Sequence, residues 1–245
     1  METLALESEP GIVIDATVGL PAQEGPRPVV LWMEATPNAQ TAATADFVRL
    51  VKAGNIVVAF QPRGVLGEPP PNPDLLALGP YMSELLRAIA VGKTLVGMRV
   101  DDTLRMVNWL VARPDVDAAA LTLYGKAGLG MVALHTAALD TRITKVVAEE
   151  TLVSYHMALQ AGLHKNLSEV VIPGVLRRYD VVDLLQAIHP RLVVLVNPAN
   201  AMGRRVRDTI VRAELATAFE TDRRLGTPQR IQLRRRGFRD PLPIE

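Results

Sequence analysis

The chain has 245 residues, of which 49% are hydrophobic and 22% are charged, as expected for a globular domain with a sizeable core. Its formal net charge of +1 gives no overall attraction to nucleic acid or acidic lipid. It contains no cysteine, which excludes disulfides, thiolate metal sites and a cysteine nucleophile. Residues 1–11 lack the apolar run of a signal peptide, and no stretch reaches the ~20 apolar residues of a membrane helix. We therefore expect a cytoplasmic protein that binds neither nucleic acid nor membrane.

Short apolar runs alternate with helical patterns along the chain, which predicts a single α/β domain over residues 1–245. Because most of these apolar runs are continuous, the sheet is expected to be mostly parallel, with helices on both faces. The predicted strands are 12–20, 29–33, 55–60, 118–124, 143–148, 191–196 and 230–234. The predicted helices are 41–53, 82–91, 97–112, a segment ending at 139, and 208–223.

Two segments depart from this alternation. Residues 61–73 contain five prolines and predict an irregular loop, because proline fixes φ and removes a backbone donor. Residues 151–188 form short helical pieces interrupted at Pro173-Gly174, which we interpret as a cap-like helical insertion. Ligands of parallel sheets bind at the carboxyl ends of the strands. The loops of interest therefore follow Met33, Phe60, Tyr124, Ala148 and Val196.

Residues 121–134 read as an apolar strand, a glycine-rich turn and the start of a helix. Serine hydrolases hold their nucleophile in such a turn, where small neighbours let the strand and the helix approach closely. Gly125 lies two residues before Ala127, and Gly130 lies three residues after it. The position of the nucleophile is therefore filled by alanine, which has no nucleophilic atom.

The chain resembles the α/β hydrolases and, among them, the acetyl xylan esterase-like branch, which is related to the dienelactone hydrolases. Besides the elbow, the similar segments are 97–102, 137–143 and 62–68, in the same order along the chain. The similarity extends from about Gly11 to about Gly203. The resemblance implies an α/β-hydrolase fold and the hydrolysis of acylated carbohydrates or small esters.

The residues that such an esterase needs for catalysis are absent. The resemblance implies a serine at the elbow, an acid after a late strand and a histidine beyond it. Ala127 stands at the nucleophile position, and Asn200 is the best match to the acid. An amide lacks the charge that stabilises an imidazolium, and no histidine follows His189. We therefore predict a pseudoenzyme with a degenerate catalytic triad, kept for binding or assembly.

The alternative is ester hydrolysis by non-standard residues. Ser154 and His156 follow a predicted strand and could hydrogen-bond, with Glu149 or Glu150 as the orienting carboxylate. The competing interpretation is that Ser154 only caps a helix. Lys126 could become a nucleophile if burial lowered its pKa, but a lysine on a turn is usually solvated.

A small ester or carbohydrate is the expected ligand of the elbow region. We predict no metal and no cofactor, because no histidine has the helical spacing of metal ligands. The chain could also be one domain of a longer protein whose other segments complete the site. The predicted pocket residues are Glu34, Gly125, Lys126, Ala127, Gly128 and Glu149.

Two groups of charged residues remain. Asp101 and Asp102 lie on a predicted helix and read as a solvated face or as partners of Arg99 or Arg105. A C-terminal run of arginines is interpreted as a solvated edge strand, since charge on an edge discourages aggregation. This run comprises Arg223, Arg224, Arg230, Arg234, Arg235, Arg236 and Arg239.

Overall fold

The computed structural model of the chain describes residues 1–65, 81–165, 167–227, 229–237 and 239–244. Residues 66–73 of the predicted proline loop lie outside these ranges. The described residues form an eight-stranded sheet in the order β1-β2-β4-β3-β5-β6-β7-β8. β1 pairs with β2 and β2 with β4 in antiparallel fashion, and every other neighbouring pair is parallel. The strands are β1 Glu2–Glu9, β2 Ile12–Gly19, β3 Arg27–Met33, β4 Ile56–Phe60, β5 Val116–Lys126, β6 Ile143–Glu149, β7 Leu192–Val196 and β8 Ile231–Arg234.

Helices cover both faces of this sheet, so the predicted architecture is confirmed. Two 3-10 turns, Leu167–Val170 and Val175–Arg177, lie between α6 and α7. No helix in the described ranges is long and apolar enough to cross a membrane, and the cytoplasmic location stays a prediction. The helices are α1 Asn38–Ala42, α2 Ala45–Lys52, α3 Met82–Ala90, α4 Leu95–Val111, α5 Gly128–Leu139, α6 Tyr155–Gln160, α7 Val181–Ile188, α8 Asp208–Glu214 and α9 Ala216–Arg224.

The apolar runs of the central strands are continuous because the sheet is buried on both faces. Along β3, Leu31 and Met33 pack in the larger core cluster, whereas Val30 and Trp32 pack in the smaller one. Successive side chains of a strand point to opposite faces, so these two clusters lie on the two sides of the sheet. The larger cluster includes α4, α5 and α7, and the smaller one includes α2 and the C-terminal residues Leu242 and Ile244.

Two predicted helices are each divided in the structure. The helix predicted over 41–53 breaks before α2, because the Thr44 side chain accepts a hydrogen bond from the Phe47 N–H and so begins a new helix. The helix predicted over 208–223 is divided into α8 and α9, which meet at Leu215. Both boundaries depend on local backbone geometry, which the spacing of apolar residues in the sequence does not predict.

The N-terminal strand β1 is absent from the sequence prediction. Within the described ranges it pairs only with β2, and it contains no continuous apolar run, because its exposed residues Glu2, Thr3, Ala5 and Glu7 interrupt the apolar ones. The alternation of Leu4 and Leu6 toward the larger cluster was the available signal. Charged residues on such an edge strand hinder pairing with another chain.

The solvated-face interpretation of Asp102 is wrong. The side chain of Asp102 is fully buried and accepts hydrogen bonds from the Arg63 N–H at 2.8 Å and from Arg63 Nε at 3.0 Å. The Ser8 hydroxyl donates to the same carboxylate. The hydrogen bond with Asp102 raises the pKa of Arg63, although burial opposes the charge. The pair joins α4 to the loop after β4 and to the edge strand β1.

Candidate functional site

The turn between β5 and α5 holds Ala127 in a conformation that is unusual for a residue with a side chain. Its φ is 52° and its ψ is −123°, a region of backbone conformation that residues other than glycine rarely adopt. The Ala127 N–H donates to the Glu149 carbonyl at 2.8 Å, and the Gly130 N–H donates to the Ala127 carbonyl at 3.0 Å. The chain therefore keeps the sharp strand-to-helix turn that presents a hydrolase nucleophile.

The glycines of the turn are needed for close approach. A Cβ on Gly125 would overlap the Leu129 carbonyl, and one on Gly130 would lie 2.8 Å from the Thr151 Cβ. Because the neighbours of Gly125 are backbone atoms, they cannot move aside as a flexible side chain would. The glycine pattern that indicated an elbow in the sequence thus has a steric cause.

A cavity of about 260 Å³ opens beside the turn, and we call it the elbow pocket. Its walls come from the turn itself, the segment after β6, the 3-10 turn Leu167–Val170 and the loop after β7. Its lining combines apolar side chains with two carboxylates, Glu150 and Glu169, one lysine, Lys165, and one amide. The residues that define it are Ala127, Gly128, Met131, Leu152, Glu169 and Asn200.

Asn200 lies in the elbow pocket together with Ala127, as expected for a residue after the seventh strand. Its Oδ1 accepts hydrogen bonds from the Met202 N–H at 2.9 Å and from the Arg204 N–H at 3.1 Å. The oxygen of the amide is therefore used to close the turn after β7.

A larger cavity, of about 650 Å³, lies beside the same turn and borders the smaller core cluster. We call it the arginine pocket, defined by Trp32, Asp46, Tyr124, Glu149 and Arg236. The predicted pocket is divided between the two cavities. Ala127 and Gly128 line the elbow pocket, Glu34, Lys126 and Glu149 line the arginine pocket, and Gly125 is buried in the turn.

Arg236 is the centre of the arginine pocket. Its Nη1 lies 3.0 Å from Glu149 Oε1 and its Nη2 lies 2.7 Å from Asp46 Oδ2. The Tyr124 hydroxyl donates to Glu149 at 2.5 Å, and burial together with the Glu149 charge raises the pKa of Tyr124. Burial opposes the charge of Arg236, but its hydrogen bond to Glu149 and the charges of Glu149 and Asp46 together raise the pKa of the guanidinium. Arg236 is two residues beyond β8, in the C-terminal part where the resemblance places a histidine.

The solvated-edge interpretation is therefore wrong for part of the C-terminal arginine run. Arg235 has a side chain that is 61% exposed, as that interpretation expects. Arg236, its neighbour, is only 17% exposed. Arg230 is buried, and its Nε lies 2.7 Å from Asp222 Oδ1. Arg230 finds its partner eight residues away, whereas the partner Glu149 of Arg236 is 87 residues away, so no local pattern indicated that Arg236 is buried.

The profile of the acetyl xylan esterase (AXE1) family matches residues 3–180, which is more than half of the chain. The chain belongs to the acetyl xylan esterase (AXE1) family. A comparison with curated protein sequences gives no match. The resemblance inferred from the elbow and its flanking segments is confirmed.

Solved structures place this family member in the α/β-hydrolase fold, as predicted. A protein from Bacteroides fragilis NCTC 9343, proposed to be an acetyl xylan esterase, has a TM-score of 0.71 at 17% identity, over 98% of this chain and 67% of that one. A glucuronoyl esterase of carbohydrate esterase family 15 from Caldicellulosiruptor kristjansonii has a TM-score of 0.61 at 19% identity, over 92% and 68%. An α/β hydrolase from Penicillium sp. sh18 has a TM-score of 0.56 at 14% identity, over 99% and 91%. Identities this low establish the fold alone.

Ser154 of this acetyl xylan esterase family member lies outside the elbow pocket. It is buried and caps α6, accepting a hydrogen bond from the Met157 N–H at 3.0 Å. Its Oγ is 2.6 Å from Glu214 Oε1 and 2.9 Å from Asp180 Oδ2, so its hydroxyl already has carboxylate acceptors. His156 is 56% exposed, with Nδ1 3.6 Å from Glu214 Oε1. The structure brings both residues to one carboxylate, and neither to Ala127.

Lys126 stands beside the elbow but is not enclosed. Its side chain is 37% exposed, and its Nζ lies 3.6 Å from Glu150 Oε2. Within the described ranges, no group of three or more histidine, aspartate or glutamate side chains could hold a metal ion.

Two residues that the sequence analysis did not place in the site meet at the elbow pocket. Glu169 comes from the 3-10 turn Leu167–Val170, and its Oε2 lies 2.9 Å from Arg99 Nη1. Arg99 belongs to α4 and is fully buried, with its guanidinium 4.9 Å from the centre of the Tyr81 ring. Burial raises the pKa of Glu169, while Arg99 and a hydrogen bond from the Gly128 backbone oppose that rise. Arg99 was in a segment that resembled the family, whereas nothing local distinguished Glu169.

Proposed function

We propose that this member of the acetyl xylan esterase family is a pseudoenzyme, which uses its scaffold to bind a small ligand at the elbow pocket without hydrolysing esters. The observation that carries the proposal is Ala127. It occupies the strained position of the nucleophile, at φ 52°, yet it has no atom that can attack a carbonyl. The turn thus has the geometry that presents a nucleophile, but the residue at its centre cannot carry out the reaction.

The other two positions of a hydrolase triad support the same proposal. A triad needs a carboxylate that orients a histidine and a histidine that accepts a proton from the nucleophile. Asn200 has a neutral amide whose oxygen is engaged by the backbone of its own turn. Arg236, in the loop after β8, carries a guanidinium that stays protonated in proteins and cannot act as a general base.

Catalysis by the non-standard residues is disfavoured by their contacts. A nucleophile and its base must lie within hydrogen-bond reach of each other and of the bound substrate. Ser154 is buried against Glu214 and Asp180, while His156 is mostly exposed. Lys126 is 37% exposed and its Nζ lies 3.6 Å from Glu150 Oε2, so it lacks the enclosure that a lysine nucleophile needs.

The expected ligand is an acylated carbohydrate or a small ester. The name of the family and the carbohydrate esterases among the similar structures suggest an acylated sugar. The apolar side chains of Met131 and Leu152 would contact an acyl group, and Asn200, which also lines the pocket, would contact a sugar ring. A volume of about 260 Å³ limits the buried part of the ligand to a small group.

The hydrolysis part of the proposal is tested with p-nitrophenyl acetate. We expect the rate with the natural chain, with Ala127→Ser and with Ser154→Ala to equal the rate with heat-denatured protein, because a hydroxyl at 127 would still lack a base. A fluorophosphonate probe should label none of the three proteins. Turnover by the natural chain that disappears in Ser154→Ala would overturn the proposal in favour of a non-standard esterase.

The binding part is tested by NMR titration with an acetylated xylobiose, using unacetylated xylobiose as the control. We expect saturable amide shifts at Ala127 and Asn200, and none at Arg236 in the arginine pocket. The absence of any saturable shift at the elbow pocket would contradict a binding role there.

A further inference from the structure

The N–H of Gly128 has a particular position in this fold. In α/β hydrolases the residue after the nucleophile contributes its backbone N–H to the oxyanion hole. Gly128 is that residue here, and the Glu169 carboxylate lies against it, where the Gly128 backbone acts to lower the pKa of that carboxyl. A Cβ on Gly128 would overlap the carboxylate carbon and both of its oxygens, so the Glu169 side chain lies directly against the glycine. A donor that would normally face the substrate therefore faces a side chain of the same protein.

Arg99 supplies the second donor, and other contacts hold it in place. Its Nη2 donates to the Gly64 carbonyl at 2.8 Å and its Nε donates to the Arg63 carbonyl at 3.3 Å. The Tyr81 ring lies against its guanidinium. Because these contacts come from the loop after β4 and from Tyr81, the guanidinium stays oriented whether or not Glu169 is present. Its Nη1 points to Glu169 Oε2, 2.9 Å away.

We propose that the Gly128 N–H and the Arg99 guanidinium form a carboxylate-binding site at the elbow, and that Glu169 is its resident ligand. A guanidinium and a backbone N–H beside one carboxylate are a usual means of recognising this group, and charge-assisted hydrogen bonds are the stronger kind. The Glu169 side chain is 13% exposed and lines the elbow pocket, so the site opens toward a space that a free ligand can reach.

This site rests on the proposed function, because it gives a second reason why the elbow should not hydrolyse esters. An ester oxyanion needs the Gly128 N–H, which Glu169 already uses, and a second negative oxygen beside that carboxylate would be repelled. The elbow is thus closed to the transition state of ester hydrolysis by a carboxylate as well as by the missing serine. A ligand can still occupy the remainder of the pocket above Glu169.

Removal of the resident carboxylate should open the site to an external one. A tethered group has a high effective concentration, so Glu169 excludes free carboxylates from the natural protein. Acetate is the smallest organic probe of the same chemistry. Titration calorimetry at constant ionic strength, with chloride as the balancing anion, compares the natural chain with Glu169→Ala. Glu150→Ala is the matched control, since Glu150 lines the same pocket and is 46% exposed.

We expect Glu169→Ala to bind acetate at least about tenfold more tightly than the natural chain, the gain from roughly one charge-assisted hydrogen bond. The melting temperature of Glu169→Ala should rise with acetate concentration, because a ligand that binds only the folded state stabilises it. Glu150→Ala should behave like the natural chain in both measurements. Equal acetate affinity in all three folded proteins would overturn the proposal.

If Glu169→Ala does not fold, Glu169→Gln is used in its place. It preserves the shape of the side chain, and the proposal expects the Gly128 amide proton to move upfield in its NMR spectrum, because a carboxylate acceptor has become a neutral amide. An unchanged Gly128 resonance would overturn the proposal. Ester turnover by the natural chain, together with acetate binding by Glu169→Ala, would overturn the pseudoenzyme proposal while leaving the carboxylate site in place.

Discussion

The elbow pocket and the arginine pocket lie beside the same β5–α5 turn, and Glu150 lines both. The elbow pocket borders the larger core cluster and contains the strained backbone of Ala127, which has no nucleophilic atom. The arginine pocket borders the smaller cluster and contains Arg236 between Glu149 and Asp46. One pocket is therefore shaped by a strained backbone turn, whereas the other is built around buried ion pairs.

The difference shows that the geometry of an active site and its chemistry depend on separate contacts. Ala127 is held in its conformation by backbone hydrogen bonds and by the glycines around it, and none of these needs a serine side chain. Arg236, in contrast, joins the end of β6 to α2, and the Asp46 carboxylate also accepts the Leu242 N–H at 3.0 Å. The loop after β8 thus fastens the C-terminal segment over the smaller cluster.

The largest expected effect is in the arginine pocket. Arg236→Met leaves Glu149, which is 2% exposed, without its cationic partner, and we expect a loss of about 3 kcal/mol or more in the free energy of unfolding. Arg235→Met is the matched control, because the Arg235 side chain is 61% exposed, and it should change stability by less than about 0.5 kcal/mol. Urea unfolding followed by circular dichroism measures both. Equal losses would show that the buried ion pairs are not what stabilises this pocket.

A smaller loss is expected at the elbow itself. Gly125→Ala places a methyl group against the Leu129 carbonyl, and we expect a loss of about 2 kcal/mol from overpacking. Gly162→Ala is the control, since a Cβ there meets nothing within 4 Å, and its effect should stay below about 1 kcal/mol. If Gly125→Ala were as stable as Gly162→Ala, the turn would not require the close approach described above.

The smallest expected effect has the opposite sign. Ala127→Gly relieves the strain of a side chain at φ 52°, and we expect a gain of about 1 kcal/mol. Ala213→Gly, at an exposed position in α8, should instead lose about 1 kcal/mol, as glycine does in an ordinary helix. The same urea titration distinguishes them. A loss of stability in Ala127→Gly would mean that the backbone of the elbow pocket is not strained.

The parts of the fold that the sequence predicted are those with local signals. The strands from β2 to β8 carry apolar runs or alternation, and the elbow carries a local glycine pattern in which Gly125 must clear the Leu129 carbonyl four residues on. The edge strand β1 was missed because half of its residues are exposed to solvent, so it carries no continuous apolar run. The break before α2 was missed because one threonine hydrogen bond decided it.

The sequence by itself determined the family, the mostly parallel sheet and the alanine at the centre of the elbow, because each depends on the identity or spacing of neighbouring residues. Only the tertiary structure decided which charged side chains meet. Arg99 and Glu169 are 70 residues apart, and Arg236 and Glu149 are 87 apart. No local pattern distinguishes such partners from solvated charges, because their burial exists only after the sheet has brought the strand ends together. The carboxylate at Gly128 and the arginine after β8 therefore became visible only in the folded chain.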